Sequence, residues 1–294
     1  MTTLTTNTPS IASAAMLVEL NISTWTGRKL DKRASTEVTA SNNAASGVAN
    51  VNKKLLGDCD ELTAITKFVG TSRNMHYAMT MPWSNSGLRL LPTAQFFKYQ
   101  EQMTAIEQEF NRLVENFLRV YDWEISEAQA KLGALFNADD YPSSDKLRSK
   151  FAFYMSYSAV PESGDFRVDL PQEAVAQIKS DYDNFYTNQL ERAMNDVWQR
   201  TFTALSKMSE RLDYAEHEKK KIFRDSLVDN VLDMVEMLRV CNVTNDTQMS
   251  AMADKLEDSL RGITPEALRE DSYLRTETKR AVDDAIKSLP SLDF

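Results

Sequence analysis

The sequence predicts a mainly α-helical protein with a long antiparallel helical pair, flanking helices and a small antiparallel β element. Three observations lead there. Gly and Pro number eight each among 294 residues, too few for a chain dense in tight turns. From Thr93 to Leu132 apolar residues recur in steps of three and four: Phe96, Tyr99, Met103, Ile106, Phe110, Leu113, Phe117, Val120 or Tyr121, Ile125, Ala128 and Leu132. That spacing predicts one amphipathic helix of about 40 residues and about 60 Å. Pro171 to Leu212 carries a second such line, through Val175, Ile178, Tyr182, Phe185, Leu190, Val197, Leu205 and Met208. A stripe that long needs a partner of similar length, so the two are expected to lie against each other.

Taken in order, residues 1–14 are Thr, Ser, Asn and Ala with little to bury, and predict a disordered leader ahead of one helical domain over 15–294. Leu17–Trp25 alternates, with Val18, Leu20 and Ile22 on one face, and predicts a strand. A weak helix is expected from Ser35 to Leu56, on the line Val38, Ala45, Val48, Val51 and Leu55. Gly57 ends it. A firmer helix follows from Asp60 to Met79, stopped by Pro82. Residues 82–92 read as a loop with turn chemistry at Ser84–Gly87. After the long helix, Asn137 to Pro142 is a break and Asp145 to Lys150 a short helix. Residues 151–160 alternate, and Phe166 to Asp169 could return as a hairpin, with Leu17–Trp25 as a third strand. Residues 137–170 thus form a β cap on the 93–213 helical hairpin. Beyond it, Glu218–Arg239, Thr247–Leu260, a start at Thr264-Pro265-Glu266, and Ser272–Ser288 are expected helices.

Composition narrows the function classes. No apolar run approaches the ~18 residues of a membrane span, and no basic start precedes an apolar core, so a cytoplasmic protein without membrane contact is expected. Cys59 and Cys241 lie far apart without a CxxC and read as free, partly buried thiols. Residues 1–92 hold nine Lys/Arg against six Asp/Glu, a net of +3, within a chain whose formal charge is −9. An anion-binding surface therefore belongs in the first third, since the acidic remainder repels phosphate.

Catalytic motifs are missing. There is no HExxH, GxSxG, GxxxxGKS or GxGxxG, and neither His76 nor His217 follows a Glu by three, as a di-metal bundle would need. The chain reads as non-enzymatic, with no metal and no cofactor. Binding candidates are Trp25, Arg28, Lys29, Lys32 and Arg33. If the chain turns helical after Gly27, the four cations share one side and Trp25 can stack or anchor. The alternative is a solvated basic turn whose Trp fills the core. Trp83 with Arg89 is a second aromatic-plus-cation pair, against which stands a packed connection. Trp123 and Trp198 lie just off the stripes, where a second packing layer or a homo-oligomer face would be.

Several strings together resemble a known family. They are Trp25-Thr-Gly-Arg-Lys-Leu-Asp, Val51-Asn-Lys-Lys-Leu-Leu, Met81-Pro-Trp with Gly87-Leu-Arg-Leu-Leu-Pro-Thr, Leu135-Phe-Asn-Ala-Asp-Asp-Tyr-Pro, Gly164-Asp-Phe-Arg-Val and Phe223-Arg-Asp-Ser-Leu-Val-Asp-Asn. The family is one of phage and bacterial proteins known as a domain of unknown function, and the resemblance spans about residues 15–285. It implies a phage or prophage origin, a host-cytoplasmic setting, and genes near those of MoxR-type AAA ATPases. The expected role is an interaction protein, an adaptor or regulator of an AAA-type ATPase. The alternative is a nucleic-acid-binding protein of phage replication, recombination or counter-defence, acting through residues 25–33.

Overall fold

The structure, a computed structural model, describes residues 11–161, 171–214 and 224–291. Mainly helical architecture with a small antiparallel sheet is what it contains. The elements run β1 (Ala15–Ser23), β2 (Arg28–Asp31), α1 (Lys32–Ser41), β3 (Val51–Lys54), α2 (Asp60–Ala78), β4 (Met81–Pro82), β5 (Arg89–Pro92), α3 (Phe96–Leu132), α4 (Ser144–Arg148) and β6 (Ala152–Ala159). Then come α5 (Gln172–Leu212), α6 (Ser226–Val240), α7 (Thr247–Leu260), α8 (Pro265–Glu270) and α9 (Ser272–Lys287). One sheet has the order β4-β5-β1-β6, and β2 pairs with β3 in a separate ribbon. Among the described residues no helix is long and apolar enough to cross a membrane.

The chain forms two compact units. The first comprises Met1–Glu19, Met79–Phe97 and Tyr157–Phe294; the second comprises Leu20–Ala78 and Lys98–Ser156. In the first unit the buried line of α5, Leu190, Ala193, Val197, Leu205, Met208 and Leu212, packs into one apolar cluster with residues of α6, α7 and α9. The sheet adds Leu17, Met81 and Leu90 to it. In the second unit, Phe110, Val114, Phe117 and Tyr121 of α3 form a cluster with Ile65 and Val69 of α2, and with Ile22, Leu56 and Leu147. Each long helix therefore meets its packing need inside its own unit.

Three expectations change. The helix predicted over 35–56 stops at Ser41, because Asn43 and Gly47 take left-handed backbone angles, with φ of 51° and 85°. Its last residues become β3. The loop 82–92 is a hairpin in which β5 pairs antiparallel with β4 and with β1. The leader ends sooner than residue 14, since Ile11 is fully buried and its N–H donates to Tyr186 Oη at 3.2 Å. Trp198 is core, whereas Trp123 is 61% exposed. The return strand at 166–169, His217 and the start of the helix expected from Glu218 lie outside the described residues. Other boundaries agree closely. Thr264 caps α8 by accepting from the Ala267 N–H at 3.2 Å, with Pro265 in its first turn.

Candidate functional site

The predicted site segment is a strand, and this divides its charges. Gly27 turns the chain at φ 62°, where a Cβ would stand 2.8 Å from the Leu62 Cδ2. Beyond it, β2 and β3 pair antiparallel, with Arg28 opposite Lys54 and Lys29 opposite Lys53. Side chains alternate along a strand, so Arg28 and Lys54 share one face of the ribbon while Lys29 and Lys53 share the other. Like charges placed opposite each other destabilise a ribbon unless something neutralises them. The two faces differ in how far that is done.

On the Lys29–Lys53 face the neutralisation is dense. Lys53 Nζ lies 2.7 Å from Asp140 Oδ2 and 3.3 Å from Asp31 Oδ2, and donates to the Leu135 carbonyl at 2.6 Å. Lys29 Nζ lies 2.6 Å from Asp140 Oδ1. The hydrogen bond that Lys53 donates to Asp140 raises its ammonium above the ordinary lysine range, against the effect of burial, and Asp31 adds to it. Burial would raise the Asp140 carboxyl, but hydrogen bonds from Lys29 and Lys53 outweigh it and hold it below the usual carboxylate range. Asp31 also accepts from the Ala34 N–H at 3.0 Å and so caps α1. Lys29 is thereby a structural cation, and the ion cluster fastens the ribbon to the segment around residues 135–140.

On the other face the neutralisation is thin. Lys54 reaches the exposed Asp58 at 2.8 Å. Arg28 has no ion pair among the described residues, and neither does Lys67 of α2. These three cations line one cleft with a volume of about 400 Å³, together with Thr24, Trp25, Thr26, Gly57, Cys59 and Thr66. Trp25 is half-buried. Its ring lies 5.9 Å from Tyr121, edge-on, and 6.1 Å from Phe117. The α3 aromatics hold it from behind, so the side chain presented to the cleft is rigid. Both sequence readings of Trp25, core filler and anchor, describe part of this arrangement.

The remaining predicted residues do not join the cleft. Lys32 and Arg33 stand on the first turn of α1, and Arg33 Nε donates to Glu37 Oε1 at 2.9 Å. The expected helix with four cations on one side does not form. Trp83 and Arg89 belong to the first unit. Trp83 is 3% exposed, edge-on to Tyr186 at 5.6 Å. Arg89 donates to the Thr80 hydroxyl at 2.6 Å and the Thr80 carbonyl at 2.9 Å. Both build the hairpin, and the packed connection is the reading that applies. His76 is buried, with Nδ1 2.8 Å from Tyr99 Oη, as expected of a structural histidine.

Sequence reasoning missed Lys54, Lys67 and Cys59. The signal available was Val51-Asn-Lys-Lys ahead of Gly57, a short alternating run masked by its Asn-rich approach. Compared with known proteins, the chain matches no family model, no curated protein and no solved structure.

Proposed function

We propose that this chain is a non-enzymatic interaction protein and that the Trp25 cleft receives an anionic group of its partner. One observation carries this reading. Arg28 and Lys67 line the same cleft without an ion pair among the described residues, while the cations on the opposite ribbon face are fully matched. Cations left unpaired beside a fixed aromatic ring are the components of a charge-assisted, anchored contact. The cleft volume of about 400 Å³ falls within the roughly 300–1,000 Å³ of sites that enclose small groups. It suits an acidic side-chain cluster or a single phosphate better than the flank of a duplex. The phage setting and an AAA-type ATPase as the partner rest on the sequence resemblance, which puts an adaptor or regulator first.

The second reading is a single-stranded nucleic acid. Trp25 beside Arg28 favours it, because stacking plus cations is how such strands are held without regard to sequence. The chain's net charge of −9 opposes it. One titration separates the two, with a labelled acidic peptide and a labelled single-stranded oligonucleotide each followed by anisotropy from low to high salt. Arg28→Glu/Lys67→Glu should abolish peptide binding, and Trp25→Ala should weaken it. Tighter binding of the oligonucleotide, lost steeply as salt rises, would put the nucleic-acid reading first. If neither probe binds, or if the double variant binds as well as the parent, the cleft is not the site.

A further inference from the structure

Beneath the cleft the second unit contains three metal-type donors that the binding reading does not use. Cys59 precedes α2, Glu61 lies in its first turn, and Glu124 projects from α3. One donor atom of each lies within 4.8 Å of the other two. We propose that Cys59, Glu61 and Glu124 form a site for a divalent cation of the zinc type, which would tie the start of α2 to α3.

Glu124 is the observation that points to a ligand. It occupies the buried line of α3, between Tyr121 and Ala128, where neighbouring turns carry Phe117 and Val114. It is 6% exposed. Among the described residues it makes no hydrogen bond and no ion pair. A buried carboxylate is destabilising unless a charge or donor compensates it. Here the charged neighbours are mixed, with one lysine against three carboxylates. Burial pushes its carboxyl above the usual range; Lys131 pulls it down, and Glu61, Glu127 and Asp60 push it up further. Lys131 Nζ is meanwhile 4.0 Å from Glu127. The Cys59 thiol lies within 4.8 Å of Glu124 and is itself in a residue only 3% exposed. A divalent cation resolves all of this at once, by neutralising two carboxylates and taking the thiol as thiolate.

The donor chemistry selects among cations. A thiolate with carboxylates suits a borderline ion such as Zn²⁺, whereas Mg²⁺ and Ca²⁺ want oxygen alone. Around a tetrahedral Zn²⁺, sulfur and oxygen ligands stand about 3.6 Å apart, given bonds of roughly 2.3 and 2.1 Å. The Cys59 Sγ lies 3.7 Å from Glu61 Oε2, already close to that separation. Three protein ligands leave one coordination position. Cys59 also lines the cleft, so the ion would lie at the cleft floor.

The test uses the full chain, reduced and stripped with chelator, titrated with Co²⁺ and read by the cobalt–thiolate charge-transfer band. Zn²⁺ competition gives the affinity. One Co²⁺ per chain with a thiolate band is expected, lost in Cys59→Ser and kept in Cys241→Ala. Glu61→Gln sits at a half-exposed position that tolerates the change. It should weaken binding by at least the roughly 10–100-fold that loss of an outer-shell partner alone costs. Glu124→Gln should do the same. Arg28→Glu/Lys67→Glu should leave the band intact, which separates this site from the anion reading. No band and no Zn²⁺ binding by the parent chain would overturn the site, as would a band that survives Cys59→Ser. A Glu124→Gln chain more stable than the parent in the presence of Zn²⁺ would mean that the three groups share a proton instead.

Discussion

Lys53 illustrates how much one residue can decide in this chain. Its ammonium is held by Asp140, Asp31 and the Leu135 carbonyl, and its side chain is almost wholly buried. Removing one partner of such a buried pair costs about 3–5 kcal/mol, because the other charge is left uncompensated. Asp140→Asn should therefore lower the urea midpoint of the second unit sharply, with Asp31 keeping the loss near the lower end. The pH dependence follows from the same groups. Asp140 titrates below its ordinary value when folded. The stability it contributes is complete above the unfolded carboxylate pKa of about 3.9 and is lost as pH falls through the lower folded value. Lys53 titrates above its ordinary value. Its contribution is complete below about 10.4 and is lost as pH rises through the higher folded value. An Asp140→Asn chain should lack most of the acid limb that the parent shows, and circular dichroism against pH at fixed urea checks it. None of this could be read from the sequence. Lys29, Lys53 and Asp140 are scattered over more than a hundred positions, and only the β2–β3 register and the residues 135–140 bring them together.

At the scale of elements, legibility followed the strength of the local signal. The ends expected for α7 agree with the structure, in which Asp246 caps it and Gly262 turns the chain beyond it at φ 75°. α3 was read from its three-and-four spacing. The expected line stuttered near Tyr121, passing from there to Ile125. The buried line instead runs Phe117, Tyr121, Glu124 and Ala128. A carboxylate stands where the pattern wants an apolar residue, so periodicity alone passes over Glu124. The helix expected over 35–56 failed for the opposite reason. Its Ala and Asn offered faint periodicity, and the strand within it gains its partner only through β2. The α3 assignment itself makes a sharp prediction. Phe117 is fully buried amid Trp25, Tyr121 and Phe151, so Phe117→Ala should cost about 3–5 kcal/mol. Trp123, six residues further along the same helix and largely exposed, should tolerate Ala within about 0.5 kcal/mol. Paired urea denaturation curves of the two variants check the contrast, and equal losses would contradict the assigned face of α3.

At the scale of the whole molecule, the chain passes between its two units within β1, after α2, at the start of α3 and within β6. Neither unit is a continuous segment, which is why a scan for composition shifts and linkers along the sequence sees one domain. The physical content of the division is that each unit has its own apolar cluster. Opening a protein locally costs what the contacts of the opened part are worth, so amides are protected by the core they depend on. Leu205 on α5 and Phe117 on α3 are both fully buried, in different clusters. Sites that share no partners act additively on stability. Leu205→Ala, with an expected loss of about 2–5 kcal/mol, should therefore speed hydrogen exchange in α5, α6, α7 and α9 and leave α2 and the β2–β3 ribbon as protected as in the parent. Phe117→Ala should do the reverse. Exchange followed by mass spectrometry on peptides from both units reads the outcome directly. If either variant speeds exchange evenly over all peptides, the two clusters open together and the molecule behaves as a single cooperative core.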